Sequence, residues 1–305
     1  MENYKYITEL NENDFSQRVV ILCITEDGKQ SILICNDKEK TNPSSYETDN
    51  LTIKMDRVLQ YNGKDFFLHI IESKKSDEYS RNQFNTIYEY IFRKITQPIS
   101  SIQLFQLITS IEEYFRLSPE PNRIPLQIGV FGELLFVRYL YDAGYKEIVK
   151  KYHSNFFLKH DIEISQSMRV EIKTALGEKR IHHFKHNQIF RTDCDVYVGS
   201  VLLEKSQEGL TLYDLFKCVI GILVNPDSIF EMEKLMVRCG VSPEDKGLSI
   251  AEEKAINSIR IYRADELPHL VVNDLPGISS IEYDVDCSVS TDENVSDFID
   301  MVKNC

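Results

Sequence analysis

Apolar and polar positions alternate with period two in several stretches, and the first group lies between residues 18 and 72. RVVILCIT and QSILICN read as strands joined through Glu26-Asp27-Gly28. LTIKMDRVLQ and DFFLHIIES follow with Asn62-Gly63 between them, and each junction is a hairpin turn signal. The pattern predicts a small barrel or sandwich, serving either as a scaffold or as a grip for nucleic acid or a partner protein. The spacing then becomes helical from Asp77 to Phe92 and from Ile99 to Phe115, with Pro98 separating the two helices. Phe84, Tyr88 and Phe92 fall on one face, which suits a core. Leu117 to Pro125, with three prolines in nine residues, is the best linker in the chain.

A mostly apolar helix is predicted from Gln127 to Tyr141, with one acid, Glu133, beside Gly129 and Gly132. Small residues let such a helix lie close to a sheet, and an acid on its buried side wants a partner. Lys159 to Thr174, KHDIEISQSMRVEIKT, then carries two alternating runs rich in β-branched residues around Ser165-Gln166-Ser167, the pattern of a short antiparallel hairpin. Arg180 to Arg191 reads as a basic helix with Lys185, three histidines and Gln188, and Asp195 to Leu203 as another strand. Leu210 to Val224 and Pro226 to Cys239 read as helices, and residues 259–273 and 278–287 as strands. The chain is thus expected to be α/β in four parts: a β-rich module over 1–76, a helical connector over 77–118, a core over 119–208 and an α+β extension over 209–305.

The hairpin carries the candidate chemistry. A turn centred on Gln166 pairs Ile162 with Val170 and Ile164 with Met168 on one apolar face. On the other face Glu163 meets Arg169 and Asp161 meets Glu171, with Lys173 one step further along. Two carboxylates directly opposite each other repel, so a fold that pairs them needs a compensating cation. A hard divalent ion such as Mg²⁺ suits the place, because it binds one or two carboxylates plus phosphate and water. Lys173 can then orient an attacking water or steady charge on phosphorus. A salt-bridged strand face, in which Lys173 neutralises its neighbours, is the plainer alternative.

Composition narrows the setting. Hydrophobic residues make up 42% of the chain and charged residues 27%, ordinary values for a globular protein. The 35 Lys and Arg against 48 Asp and Glu leave a net charge of −13, which argues against a general nucleic-acid coat protein. The charge is uneven, with basic residues gathered between Lys146 and Arg191 and acidic ones after Pro276. The seven cysteines show no C-x-x-C spacing and read as buried, reduced thiols. His182, His186 and Cys194 make a poor zinc set, lacking a paired fourth ligand. The N-terminus lacks the marks of a signal peptide, and no apolar run reads as a membrane span, so the protein is expected in the cytoplasm.

The order of elements, helix with Glu133, strand with Asp161, strand with Glu171-x-Lys173, basic stretch with Gln188, strand, resembles the PD-(D/E)XK nuclease superfamily, which has the restriction-endonuclease-like fold. More narrowly, GVFGELLF, HD, EIKT and a basic stretch ending in NQI resemble a bacterial family of PD-(D/E)XK motif proteins found with restriction and phage-defence genes. The resemblance covers residues 125–203 closely and the flanks loosely. It implies a mixed-sheet core flanked by helices and a DNA endonuclease using Mg²⁺, with Mn²⁺ as a substitute. Asp161 and Glu171, with Ile172 between Glu171 and Lys173, would hold the metal. Lys173 would be the catalytic lysine, Glu133 the acidic helper and Gln188 the active-site glutamine. Lys159, Lys179, Arg180, His182, His186 and Arg191 would face DNA. His160 stands where the family motif has proline. A homodimer or partner proteins of a defence system are expected, without a membrane. The alternatives are a catalytically silent DNA- or protein-binding subunit and an RNase.

Overall fold

The first alternating stretch folds as one antiparallel sheet rather than a barrel or sandwich. Its strands are Val20–Ile24 (β1), Gln30–Cys35 (β2), Ser44–Glu47 (β3), Leu51–Tyr61 (β4) and Lys64–Ser73 (β5), in the order β1-β2-β5-β4-β3. β3 is exposed at every position, so no apolar alternation announces it. Gly28 and Gly63 take φ of 78° and 76°, the left-handed conformation that tight turns ask of glycine. The computed structural model describes residues 18–25, 27–38, 42–61, 63–152, 160–190, 193–270 and 280–304. Glu26, Asn62, Lys159, Arg191, Pro276, Cys305 and residues 271–273 and 278–279 of the expected strands lie outside them.

Helices Glu78–Lys94 (α1) and Ser101–Arg116 (α2) complete this unit, which spans residues 1–117. Asp77 caps α1, and Ser100 with Gln103 forms a reciprocal capping box on α2. The core face of α1 is Phe84, Ile87 and Ile91, all fully buried, whereas Phe92 is exposed. Steps of four drift by about 40° around a helix of 3.6 residues per turn, which carries Phe92 away from the face of Phe84.

The second unit spans residues 118–305. It begins with Arg123–Asp142 (α3) and Ile148–Lys151 (α4), followed by Ile162–Ser165 (β6), Met168–Leu176 (β7), Ile181–Lys185 (β8), His186–Ile189 (α5) and Asp195–Leu203 (β9). Lys205–Thr211 (β10), Leu212–Ile222 (α6), Pro226–Cys239 (α7), Ser249–Ile250 (β11), Glu252–Asn257 (α8), Arg260–Arg263 (β12), Glu282–Asp286 (β13) and Val295–Lys303 (α9) follow. The central sheet is mixed, in the order β12-β9-β7-β6, with β7 and β9 parallel and the outer pairs antiparallel.

Each face of this sheet has its own core. Met168, Val170 and Ile172 of β7 and Tyr197, Val201 and Leu203 of β9 pack with Val130, Phe131, Leu134 and Leu135 of α3. On the other face Val196 and Val198 meet Phe184, Ile189, Tyr262, Val285 and Cys287. The expected basic helix over Arg180–Arg191 is instead strand β8 followed by the single turn α5. The sequence IHHFK alternates, burying His182 and Phe184 and exposing Ile181, His183 and Lys185, and β8 pairs antiparallel with β13.

Helix α3 is long and apolar enough to cross a membrane by length and composition, a feature not expected from the sequence. Its fully buried residues pack in the core against β7 and β9, as a core helix does. Cys23, Cys239 and Cys287 are buried free thiols pushed up to about 12 chiefly by burial, while Cys218 is exposed.

Candidate active site

The hairpin forms in nearly the expected register. Ile162 pairs with Val170 and Glu163 with Arg169, and the Arg169 Nε lies 3.2 Å from Glu163 Oε1. The turn differs by one residue: Ser165, not Ile164, pairs with Met168, so a bulge falls between Glu163 and Ser165. Ile164 and Met168 both remain in the core, which explains why the irregularity is tolerated. Asp161 sits in the bend just before β6, and its Oδ2 accepts a 2.6 Å hydrogen bond from the backbone N–H of Ile172. That bond holds the carboxylate across the hairpin beside Glu171.

Glu171 and Lys173 pair in the parallel ladder with Val198 and Ser200, on the face opposite Val170 and Ile172. Lys173 Nζ donates to Glu171 Oε1 at 2.8 Å and lies 5.4 Å from the centre of the Phe184 ring. Glu171 is 4% exposed, and its Oε2 has no hydrogen-bond partner. His160, also buried, brings Nδ1 to 3.8 Å from that oxygen, too far for a hydrogen bond.

Helix α3 delivers the third carboxylate by lying against β7. A Cβ on Gly132 would come within 2.8 Å of Cβ and Cγ2 of Thr174 on β7, and closer still to its hydroxyl. Glycine there permits the approach that the sequence suggested, whereas Gly129 has open space beside it. Glu133, the next residue, accepts a 3.2 Å hydrogen bond from the buried Tyr152 hydroxyl. Burial pushes the Glu133 carboxyl up to about 7, with the Tyr152 hydrogen bond opposing and Glu171 adding to the rise. Asp161 is raised well above the carboxylate range by burial and then by Glu133 and Glu171. Both residues keep some surface open to solvent, which tempers the burial penalty without reversing it.

Three carboxylates therefore face one ammonium, an imbalance that favours either a proton or a further cation. Among the described residues, no group of three or more His, Cys, Asp or Glu side chains is already gathered to hold a metal ion. One oxygen of Asp161 is taken by the Ile172 amide and one of Glu171 by Lys173. The partnerless Glu171 Oε2 and the raised acids beside it suit a cation that draws its remaining ligands from water and phosphate. Tyr152 and His160 were not anticipated as site residues. Tyr152 lacks a motif position, and its buried hydroxyl becomes meaningful when it meets Glu133.

The expected nucleic-acid contacts divide. His182 is buried, its Nε2 lies 2.7 Å from Ser200 Oγ, and burial first, then Arg180 and Lys173, hold it down to about 4. It is neutral and enclosed, so it offers no charge to a phosphate. Arg180 clasps Ser200, 2.8 Å from its Oγ, and the carbonyl of Ser258, a structural duty inside the fold. His186 donates or accepts at 3.0 Å with the Tyr283 hydroxyl and stacks on Phe190. Lys179 is exposed, and Gln188 stands half-buried on α5. The basic strand is also matched by an acidic one, since His183 contacts Asp284 at 3.0 Å and Glu282 at 3.2 Å.

No curated protein and no solved structure matches the chain. Residues 9–288 match the family described as "Putative PD-(D/E)XK family member, (DUF4420)", which takes in both units and every candidate residue above. The chain belongs to that family of PD-(D/E)XK proteins.

Proposed function

We propose that the chain is a divalent-metal-dependent deoxyribonuclease whose catalytic core is the restriction-endonuclease-like arrangement of β6, β7 and β9 with α3. The observation that carries the reading is the meeting of Glu133, Asp161, Glu171 and Lys173 from three elements, with a buried carboxylate oxygen left without a partner. Asp161 and Glu171 would hold Mg²⁺ or Mn²⁺, with Ile172 lending its backbone to position Asp161. Such an ion polarises a phosphoryl oxygen and lowers the pKa of a bound water. Lys173, fixed between Glu171 and the Phe184 ring, orients that water and steadies charge on phosphorus. Glu133, held by Tyr152, is placed to share or relay a proton. The setting in restriction or phage defence rests on the resemblance alone.

The test uses Asp161→Asn and Glu171→Gln on supercoiled plasmid and phage DNA with Mg²⁺, Mn²⁺ or a chelator, and on RNA in parallel. Wild type is expected to nick DNA with metal, and both variants to be silent. Circular dichroism checks that both variants remain folded. Calorimetric Mn²⁺ binding should weaken in Glu171→Gln. Cleavage at the wild-type rate by either variant would refute the assignment. One active-site set cuts a duplex through two copies or two encounters, and light scattering on the active species distinguishes these.

A further inference from the structure

Beside the site, on the same face of the sheet as Glu171 and Lys173, α5 and the start of β9 enclose a cavity of about 380 Å³. Val196 and Ile189 line it with apolar surface, His186 and Phe190 with rings, and Asp195 and Asp265 with carboxylates. The rings form a pile: His186 stacks on Phe190 at 5.0 Å and 30°, and Phe190 meets His269 at 4.0 Å and 38°. Val196 is two residues along β9 from Val198, the partner of Glu171, which places it roughly 7 Å along the strand. None of these features is used by the chemistry described above.

We propose that this cavity takes one unpaired guanine of a DNA strand whose backbone crosses Glu171 and Lys173, a reading that rests on the nuclease assignment. His186 and His269 cover the two faces of Phe190, so the ring that supplies the stacking by which single-stranded bases are held is His186, which ends the pile and lines the cavity. The rim selects among the bases. A carboxylate only accepts hydrogen bonds, and guanine alone presents two adjacent N–H donors, N1–H and the 2-amino group, on its Watson–Crick edge. Adenine and cytosine set an amino group beside a ring-nitrogen acceptor, which a carboxylate repels, and thymine sets one N–H between two carbonyls. Asp265 is engaged by Arg263 at 2.9 Å, whereas Asp195 is 4.0 Å from the same guanidinium, so Asp195 has the lone pairs to give. Arg263 favours the ionised form of Asp265.

The experiment uses the full chain carrying Glu171→Gln, in chelator, with labelled oligothymidylates that contain one central dG, dA, dC or dT. Fluorescence anisotropy should show the dG strand bound about 10-fold or more tightly than the others, the scale of one good bidentate base contact. Asp195→Asn, at an exposed position, should erase that preference and leave oligothymidylate binding unchanged. His186→Ala should weaken the dG strand by roughly 5- to 100-fold, the range carried by a base–aromatic stack. Where His186→Ala lowers the melting temperature, Asp195→Asn decides alone. Equal affinity for all four strands, or a dG preference that survives Asp195→Asn, overturns the pocket. Cleavage by wild type is scored separately: a dG preference without cleavage sinks the nuclease reading, and cleavage without preference sinks the pocket.

Discussion

Replacing Gly132 with alanine tests how the third carboxylate reaches the hairpin. The added methyl would meet Thr174 Cβ and Cγ2 at 2.8 Å. Ordinary carbon contacts begin near 3.5 Å, so α3 and β7 must part by roughly 0.7 Å or more. Overpacking of this kind costs about 1–3 kcal/mol, and alanine returns up to about 1 kcal/mol as the better helix former. The net loss of up to about 2 kcal/mol corresponds to a fall in melting temperature of up to roughly 8 °C for a unit of this size. Glu133 is the adjacent residue, so the same displacement moves its carboxylate from the cluster, and metal-dependent nicking should fall at least 10-fold. Gly129→Ala is the internal control, because open space lies beside that position and the variant should gain stability with full activity. Adding Thr174→Ala to Gly132→Ala removes the hydroxyl and methyl that clash, and should recover part of both losses. Calorimetry and plasmid nicking on the four proteins settle the matter. If Gly132→Ala behaved like Gly129→Ala in both assays, close approach would not be what places Glu133.

Two acids and one histidine should give opposing pH dependences in metal-free buffer. Glu133, raised to about 7, contributes stability that is full below its ordinary value of 4.5 and lost as pH rises through 7, and Asp161 acts in the same sense. His182, held to about 4, contributes stability that is full above its ordinary 6.5 and lost as pH falls through 4. Two acids thus oppose one imidazole, so wild type should lose stability as pH rises from 4.5 to 6.5, whereas Glu133→Gln, in which Asp161 and His182 offset each other, should vary little; a profile unchanged from wild type in that variant would contradict the burial of the charge. Mg²⁺ at 100 times its dissociation constant should stabilise wild type by about 2.7 kcal/mol at pH 7.5 and leave Asp161→Asn unmoved, which thermal shift reads directly.

What the sequence disclosed depended on how local the determining contacts were. The hairpin register was legible because Ile162, Ile164, Val170 and Ile172 alternate strictly and their partners lie within a dozen residues. Helix α3 was legible from its apolar spacing, and Gly132 was legible as a close approach, though Gly129 looked equivalent and is not. The bulge at Ile164 leaves no mark in the sequence, because either register keeps both Ile164 and Met168 inside. The charges of β8 mask the alternation of IHHFK and suggest a helix, and its partner β13 lies far downstream. Asp284 and Glu282, read as a distant acidic tail, turn out to shadow His183 and Lys185. Arg180 and His182 looked like phosphate contacts for the same reason: only the fold shows Ser200 and Ser258 waiting for them.

The pairing of β13 with β8 also sets a timetable. During synthesis every candidate acid and Lys173 has been made once residue 176 is added, and hairpins of this size close in about 1–10 μs. The floor beneath Lys173 is another matter, because Phe184 is covered by Val285 and Cys287, and the open edge of β9 is filled by Arg260–Arg263. At about 5–20 residues per second those segments arrive roughly 5–20 s later. Until then β9 lacks a neighbour on one side and Phe184 lacks a cover, so Lys173 has no fixed surface to rest on. A nascent chain would thus carry the reactive groups without the wall that aligns them, and any cutting activity would begin only after the downstream strands have docked.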